Sequence, residues 1–218
     1  MALAALPRRD EQSRELLDRA ARRARPVVLA GERVLAVPGP VGDLLPGRAL
    51  QRGTVVAVDG DPGAGATSVA FQLAAAATAA GEWAAAVELD ASLGGLAARE
   101  AGVVLDRFAV VRRVPPARWA VVVAALFDGI SVVLTEVPAF ARVGDARRLQ
   151  ARARERGAVL VAMGPWPAEA ALRLRAAGSV WRGLDDGEDA LAERDQRVHV
   201  DGRGAAAARD QVALVKAG

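Results

Sequence analysis

The segment GDPGAGATS, residues 60–68, has the residue types and the spacing of a phosphate-binding loop. Such a loop has the form G-x-x-x-x-G-K-S/T, in which glycines let backbone N–H groups surround a phosphate and the hydroxyl binds Mg²⁺. The apolar run TVVAVD precedes the segment and an alanine-rich helical pattern follows it, which is the context that the motif requires. The residues of the motif are Gly60, Gly63, Gly65, Ala66, Thr67 and Ser68.

Ala66 occupies the position at which this chemistry uses a lysine. A hydrogen bond to a charged group contributes about 1.5–3 kcal/mol, so its loss should weaken nucleotide binding by roughly ten- to a hundredfold. The only lysine of the chain is Lys216, so no neighbouring lysine replaces it. Two interpretations follow: a weakened ATP–Mg²⁺ site, or a tight turn without a cofactor whose helix N-terminus could still hold a stray phosphate.

Composition limits the chemistry further. The 218 residues contain no cysteine and one histidine, His199, which excludes disulfides, thiol catalysis and a Cys/His zinc site, and we expect no metal site. The formal charge is only +3, so nucleic-acid binding would require local clusters of arginine. No secretory leader is visible, and we expect a cytoplasmic protein. The apolar stretch 118–138 is divided by Asp128 and Gly129 into a helix and a strand, so we expect no membrane contact.

Strand and helix patterns alternate from Gly53 onward, which predicts an α/β fold with a mainly parallel sheet and helices on both faces. The predicted strands are 53–59, 83–90, 106–114, 130–137 and 158–164. The predicted helices are 67–81, 92–102, 116–129, 144–157 and 167–178. An amphipathic helix is predicted at 7–25, and the strand-like segments 197–204 and 210–215 predict a small C-terminal β-hairpin. We divide the chain into an N-terminal helix and linker (1–40), a core (41–184) and an acidic loop with terminal strands (185–218).

Three segments in this order resemble the core of RecA recombinase: LLPGRALQRGTVVAVDGDPGAGATS, AAAVELDASLGGLAAREAGV and ISVVLTEVPAF. The resemblance covers about residues 41–184 and implies a three-layer RecA-like core. In that family a strand-end glutamate activates water, and Asp90 matches it. A second strand ends in an aspartate that supports magnesium, where this chain has Thr135 followed by Glu136.

Four positions depart from the family's ATPase chemistry together. Besides Ala66, Asp90 and Thr135, the glutamine that senses the γ-phosphate is missing, since the corresponding strand leads into Gly164-Pro165-Trp166. These departures favour a protein without ATPase activity. The DNA-binding loops of RecA are also shortened, to AFARVGDARR and GPWPAEAA, so strand exchange is not expected.

The combination of a RecA-like core and a degenerate nucleotide site most resembles the actinobacterial ImuA-prime type of mutagenesis accessory protein. That resemblance implies a non-catalytic role in SOS-induced translesion DNA synthesis, with an ImuB-like protein and a DnaE2-type polymerase as partners. It also implies self-association or contact with RecA as further options, and it places the ImuB contact somewhere in residues 185–218.

Arginines cluster in the predicted helix 144–157 and just before it. They could contact DNA weakly or an acidic partner, or they could form a solvated face, and the residues concerned are Arg142, Arg147, Arg148, Arg152 and Arg156. Trp166, between two prolines, could stack on a base, anchor a partner or pack in the core. Trp83, Trp119 and Trp181 lie in apolar segments and are predicted to be core residues.

Two other functions remain open on the sequence. The first is a weak ATPase stimulated by single-stranded DNA, in which Thr67, Asp90 and Glu136 still work. The second is a cell-division inhibitor resembling SulA, which has a RecA-like fold without ATPase chemistry.

Overall fold

The computed structural model describes residues 33–90, 92–182 and 193–202. The predicted helix 7–25 and the predicted strand 210–215 lie outside these ranges. The described chain begins with a two-stranded antiparallel sheet formed by β1 (Val34–Ala36) and β2 (Ala49–Gln51). Between these strands lie a short helix, α1 (Gly39–Asp43), and a 3₁₀ turn (Pro46–Arg48).

Seven strands form the main sheet, in the order β5-β4-β6-β7-β3-β8-β9. Every neighbouring pair is parallel except β8 and β9, which are antiparallel. The strands are β3 (Val55–Gly60), β4 (Ala84–Val87), β5 (Phe108–Val111), β6 (Val132–Glu136), β7 (Val159–Met163), β8 (Leu172–Arg182) and β9 (Glu193–Gly202). The prediction of an α/β fold with a mainly parallel sheet is therefore confirmed, and each of the five predicted strands is present.

Four longer helices connect these strands: α2 (Ala66–Ala79), α3 (Gly95–Glu100), α4 (Trp119–Leu126) and α5 (Val143–Arg156). The 3₁₀ turns Leu105–Arg107 and Pro116–Arg118 precede β5 and α4. The apolar stretch 118–138 is divided between α4 and β6, as predicted. Within the described ranges, no helix has the length and apolar character needed to cross a membrane.

Alternate residues of the strands face two separate hydrophobic clusters. Val56 and Val58 of β3 belong to the first cluster, which also contains the buried side chains of α2. Val55 and Ala57 belong to the second cluster, which contains the buried side chains of α4 and α5. This alternation follows from the two-residue period of a strand, and it explains why the central strands are apolar at almost every position.

The predicted helix 167–178 is wrong, because most of this segment forms strand β8. Alanine, leucine and arginine have high helix propensity, but the order Leu-Arg-Leu-Arg-Ala alternates with period two. In the structure Leu172, Leu174 and Ala176 are buried, whereas Arg175 is exposed. Burial of this alternating face against the first cluster, together with parallel pairing to β3, overrides the local preference.

The tryptophans divide in a way that the sequence did not predict. Trp119 is 2% exposed and packs in the second cluster, as predicted. Trp83 is 46% exposed, so its assignment to the core is wrong. It lies directly before the first residue of β4, where the chain passes from the surface into the sheet. The side chain of Trp181 lies outside the described part of the structure.

Candidate functional site: a degenerate phosphate loop

The phosphate-type loop connects the central strand β3 to the helix α2. Gly65 caps the helix in the left-handed conformation, with φ 92°, and α2 begins at Ala66. The first helical bond closes from the Val69 N–H to the Gly65 carbonyl, so the N–H groups of residues 66–68 have no partner within the helix. Thr67 is exposed and Ser68 half-buried. The backbone thus has the strand–loop–helix arrangement that the motif predicted.

Gly60 is required by strand packing, independently of any phosphate. A Cβ at this position would lie 2.5 Å from the Ala176 carbonyl oxygen and 2.9 Å from the Ala176 Cβ. Ala176 is its register partner in β8, so a side chain would push the two strands apart. A Cβ at Gly63 would meet nothing within 4 Å. The first glycine of the motif therefore has a structural explanation that does not involve a ligand.

A cleft of about 300 Å³ lies beside the loop. Its charged lining consists of two carboxylates, Asp59 and Asp61, and one guanidinium, Arg175. Ala66 and Thr67 also line it, and the small Ala66 side chain leaves open the place where a lysine would extend. Because acids outnumber bases here, the cleft is less favourable to a phosphate group than a loop with a lysine.

Among the described residues that line the cleft, Arg175 alone supplies positive charge, and sequence reasoning missed it. It is exposed and pairs in register with Asp59, which places a guanidinium near Ala66, the position at which the motif has a lysine. The alternating pattern of residues 172–176 was the signal that could have located it. Because the segment was predicted to be a helix, Arg175 was not predicted to lie beside the loop.

The loop is also held from the far end of the chain. Gln196 on β9 is 1% exposed, and its Nε2 donates to the Ala64 carbonyl across 3.0 Å. The Ala64 N–H donates in turn to the Asp61 carbonyl at 2.9 Å. Two buried oxygens near this turn, Gln196 Oε1 and Asp59 Oδ1, have no hydrogen-bond partner among the residues that the structure describes. The turn is therefore fixed by protein contacts without a ligand.

The two predicted acidic positions meet at the adjacent strand ends. Glu136, half-buried at the end of β6, accepts a hydrogen bond from the Leu89 N–H at 2.7 Å and another from Ser92 Oγ at 2.8 Å. Asp90 is exposed and accepts from the Ser92 N–H at 3.1 Å. Both oxygens of Glu136 are thus engaged in holding the β4–α3 connection. Neither acid belongs to the lining of the cleft beside the loop.

Thr135, which stands at the magnesium-supporting position of the RecA resemblance, faces the core. It is fully buried, and its Oγ1 accepts a hydrogen bond from Trp119 Nε1 at 2.7 Å and donates to the Glu136 carbonyl at 3.1 Å. Trp166 packs edge-on against Trp119, with ring centroids 6.4 Å apart. Trp166 is 3% exposed, which agrees with the alternative that it packs in the core rather than stacking on a base or anchoring a partner.

Glu88 is a further acid that the sequence analysis did not select. It follows β4 directly, is fully buried, and accepts a hydrogen bond from the Leu93 N–H at 2.7 Å. Its Oε2 lies 3.2 Å from Arg112 Nε, so the two side chains form an ion pair. The geometry of this contact is not that of a hydrogen bond. Burial and pairing give Glu88 a structural role at the base of the same connection. Among the described residues, no three His, Asp or Glu side chains are grouped to hold a metal.

The arginines of α5 are partly neutralised by neighbouring acids. Arg148 pairs with Asp145 at 2.5 Å, Arg152 with Asp128 and Glu155 at 2.7 and 2.9 Å, and Arg156 with Asp128 at 3.0 Å. The hydrogen bond to Glu155 raises the pKa of Arg152 above its usual value. The predicted stripe of Arg148, Arg152 and Arg156 is therefore an ion-pair network. Arg142 and Arg147 are exposed and carry no ion pair within the described residues.

A family model described as the MT3502 N-terminal domain matches residues 43–168, which is more than half of the chain. The chain belongs to the MT3502 N-terminal domain family. None of the curated proteins compared with the chain matches it. The matched range contains the phosphate-type loop, the acidic strand ends and α5. Arg175 and Gln196, which contact or border the loop, lie beyond the part that the MT3502 N-terminal domain covers.

Proposed function

We propose that this member of the MT3502 N-terminal domain family is a RecA-like accessory protein of the ImuA-prime type. It acts in SOS-induced translesion DNA synthesis in the cytoplasm, by binding an ImuB-like protein and through it a DnaE2-type polymerase, and it does not hydrolyse ATP. The RecA-like, three-layer part of this proposal is supported by the mainly parallel sheet with a hydrophobic cluster on each face. The phosphate-type loop follows the central strand of that sheet, with acidic strand ends beside it.

The observation that supports a non-catalytic role is that the side chains at the end of β6 form hydrogen bonds with other parts of the protein. Thr135 is committed to Trp119 in the core, and both oxygens of Glu136 hold the β4–α3 connection. A carboxylate that supports magnesium needs an oxygen directed at the bound nucleotide. With Ala66 in its place, the loop also lacks the lysine that contacts the transferring phosphate in such sites.

The first experiment is calorimetric titration of ATP with Mg²⁺ into the full chain, with and without single-stranded DNA. The proposal predicts no heat at millimolar nucleotide and no phosphate release. It also predicts that a co-expressed ImuB-like protein co-purifies with the chain. Micromolar ATP binding with turnover, or an ImuB-like protein that does not co-purify, would overturn it.

One observation favours the ATPase as the second candidate function. Arg175 lines the same cleft as Thr67 and supplies a cation near the position of Ala66. In that case the Arg175→Ala variant loses ATP binding, whereas Arg173→Ala does not, because Arg173 instead donates to the Ala168 carbonyl at 2.9 Å. Equal effects of the two variants would remove this candidate.

A further inference from the structure

A groove of about 950 Å³ runs along α5, on a side of the molecule that the phosphate-type loop does not use. One wall is a single face of the helix, formed by Val143, Arg147, Gln150, Ala151 and Arg154. The other wall is the irregular segment 167–171, and the floor is the turn 51–55 that leads into β3. The floor thus lies at the end of β3 opposite Gly60.

The groove exists because the connection from β7 to β8 contains no helix. Parallel strands are usually joined by a crossover of a dozen or more residues with a helix that covers the sheet. Here only residues 164–171 join Met163 to Leu172, and they run as an irregular segment. The side of α5 that a crossover helix would cover therefore faces only the short segment 167–171.

Both walls are fixed in place. Gln150 Nε2 donates a hydrogen bond to the Glu169 carbonyl, which joins the helix to the opposite wall. Arg173 donates to the Ala168 carbonyl, and the Ala171 N–H donates to the Val55 carbonyl at 2.9 Å. These bonds form the groove without a partner, so a ligand would not have to order it.

The groove is basic, and its charge is not neutralised in the same way as the rest of α5. Arg147 and Arg154 are exposed, and neither has an ion pair within the described residues, in contrast to Arg148, Arg152 and Arg156. A third arginine of the lining, Arg52, is already bound to Glu82 through two hydrogen bonds. Glu169 is the one acid of the lining. Two guanidinium groups are therefore available to a ligand.

The spacing of these two arginines fits an extended acidic peptide. Arg147 and Arg154 are two helical turns apart, which is about 10 Å along the axis. In an extended polyproline II segment, which has three residues per turn, residues three apart lie on the same side and are separated by about 9 Å. Among the described residues, no aromatic side chain on which a base could stack lines the groove, and stacking is a main source of single-strand affinity. The groove therefore favours carboxylates over a nucleic acid.

We propose that this groove binds an extended acidic segment of a partner protein, with two carboxylates three residues apart paired to Arg147 and Arg154. The proposal does not depend on the RecA-like function above and can hold if ATP binding is found. Both arginines lie within residues 43–168, the part of the chain that the family model matches.

The test uses a fluorescein-labelled Gly-Gly-Glu-Ala-Ala-Glu-Gly-Gly peptide and fluorescence anisotropy with the full chain. We expect binding at least about tenfold tighter than for the Gln-Ala-Ala-Gln peptide, since a charged hydrogen bond contributes about that factor. A Glu-Glu-Ala-Ala peptide of equal charge should bind more weakly than the spaced peptide. Arg147→Gln and Arg154→Gln should each reduce the difference in affinity between the spaced Glu peptide and the Gln peptide, and the double variant should abolish it.

Arg142→Gln is the matched control, because Arg142 is exposed, has no ion pair with a described residue and lies outside the groove. Glutamine is a good helix former, so the helical variants should keep their fold, which thermal unfolding checks. Three results would overturn the proposal: no anisotropy change at millimolar peptide, an equal loss in Arg142→Gln, or tighter binding of oligothymidylate with the same dependence on Arg147 and Arg154.

Discussion

Trp119 Nε1 donates a hydrogen bond to Thr135 Oγ1 across 2.7 Å, between side chains that are 2% and 0% exposed. This bond fixes the end of β6 to α4 inside the second hydrophobic cluster. The position at which the RecA resemblance expects a magnesium-supporting carboxylate is thus filled by a hydroxyl that faces away from the phosphate-type loop. Thr135 thus has a packing role at the end of β6.

Thr135→Val should lower the free energy of unfolding by about 1–3 kcal/mol, because the indole N–H of Trp119 remains buried without an acceptor. Valine keeps the shape of threonine, so the change is mainly the lost bond. A double-mutant cycle with Trp119→Phe in urea unfolding measures it directly. We expect a coupling of about 0.5–3 kcal/mol. Additive losses would show that the bond contributes nothing.

Gly60→Ala should destabilise the protein far more than Gly63→Ala. At Gly63 an alanine adopts the left-handed conformation, with φ 80°, at a cost of about 1–2 kcal/mol. At Gly60 the same substitution also places a methyl group 2.5 Å from the Ala176 carbonyl oxygen and displaces β8. Thermal unfolding of both variants without nucleotide provides the measurement. Equal losses would mean that strand packing does not explain Gly60.

Gln196→Leu should speed amide hydrogen exchange in residues 61–66, because the Ala64 carbonyl loses its donor from β9. Global stability should change by less than about 1 kcal/mol, since the variant also removes a buried oxygen without a partner. Arg197→Leu is the control, as Arg197 is an exposed neighbour on the same strand. The same increase in exchange in both variants would contradict a specific link between Gln196 and the loop.

The Arg52–Glu82 pair should make stability depend on pH in the acidic range. Two hydrogen bonds from Arg52, at 2.6 and 3.1 Å, lower the pKa of Glu82 below its usual value. The stabilisation is therefore complete above the unfolded-state pKa of about 4.3 and is lost as the pH falls through the lower folded-state value.

Glu82→Gln should consequently be less stable than the wild type at neutral pH, by about 1 kcal/mol or less for a partly exposed pair. The difference should shrink as the pH falls below about 4, where Glu82 protonates in both states. Chemical unfolding at a series of pH values measures this. A difference that stays constant over that range would mean that the charge of Glu82 is not the cause.

Hydrophobic pattern alone was sufficient to predict the parallel strands. Runs such as VVAVD and VLVAM are buried on both faces, and only a central strand between two helix layers satisfies such a run. Residues 167–178 could not be predicted in the same way, because helix propensity and the two-residue alternation point to different structures. Only pairing with β3 decides between them, and that contact is between segments far apart in the sequence.

The same limit applies to the candidate site. The motif located the loop and the strand ends, because parallel strands present their carboxyl ends at one edge of the sheet. It could not show that Thr135 faces Trp119, that Trp166 is buried or that Arg148 and Arg152 are paired with acids. Those facts depend on side-chain direction and on partners elsewhere in the chain. Arg175 was missed because its segment was assigned to a helix, and Gln196 because the predicted strand 197–204 begins one residue after it, whereas β9 spans Glu193–Gly202.

The central strand has a consequence for how the chain folds. Val55 of β3 pairs with Leu160 of β7, and Val56 pairs with Leu172 of β8, so both neighbours of β3 are synthesised long after it. During translation this apolar strand has neither partner, and its edges are open to association with other chains. The pairing of β3 with β7 and β8 must therefore form late. This predicts slow folding and a need for chaperones while the chain is growing.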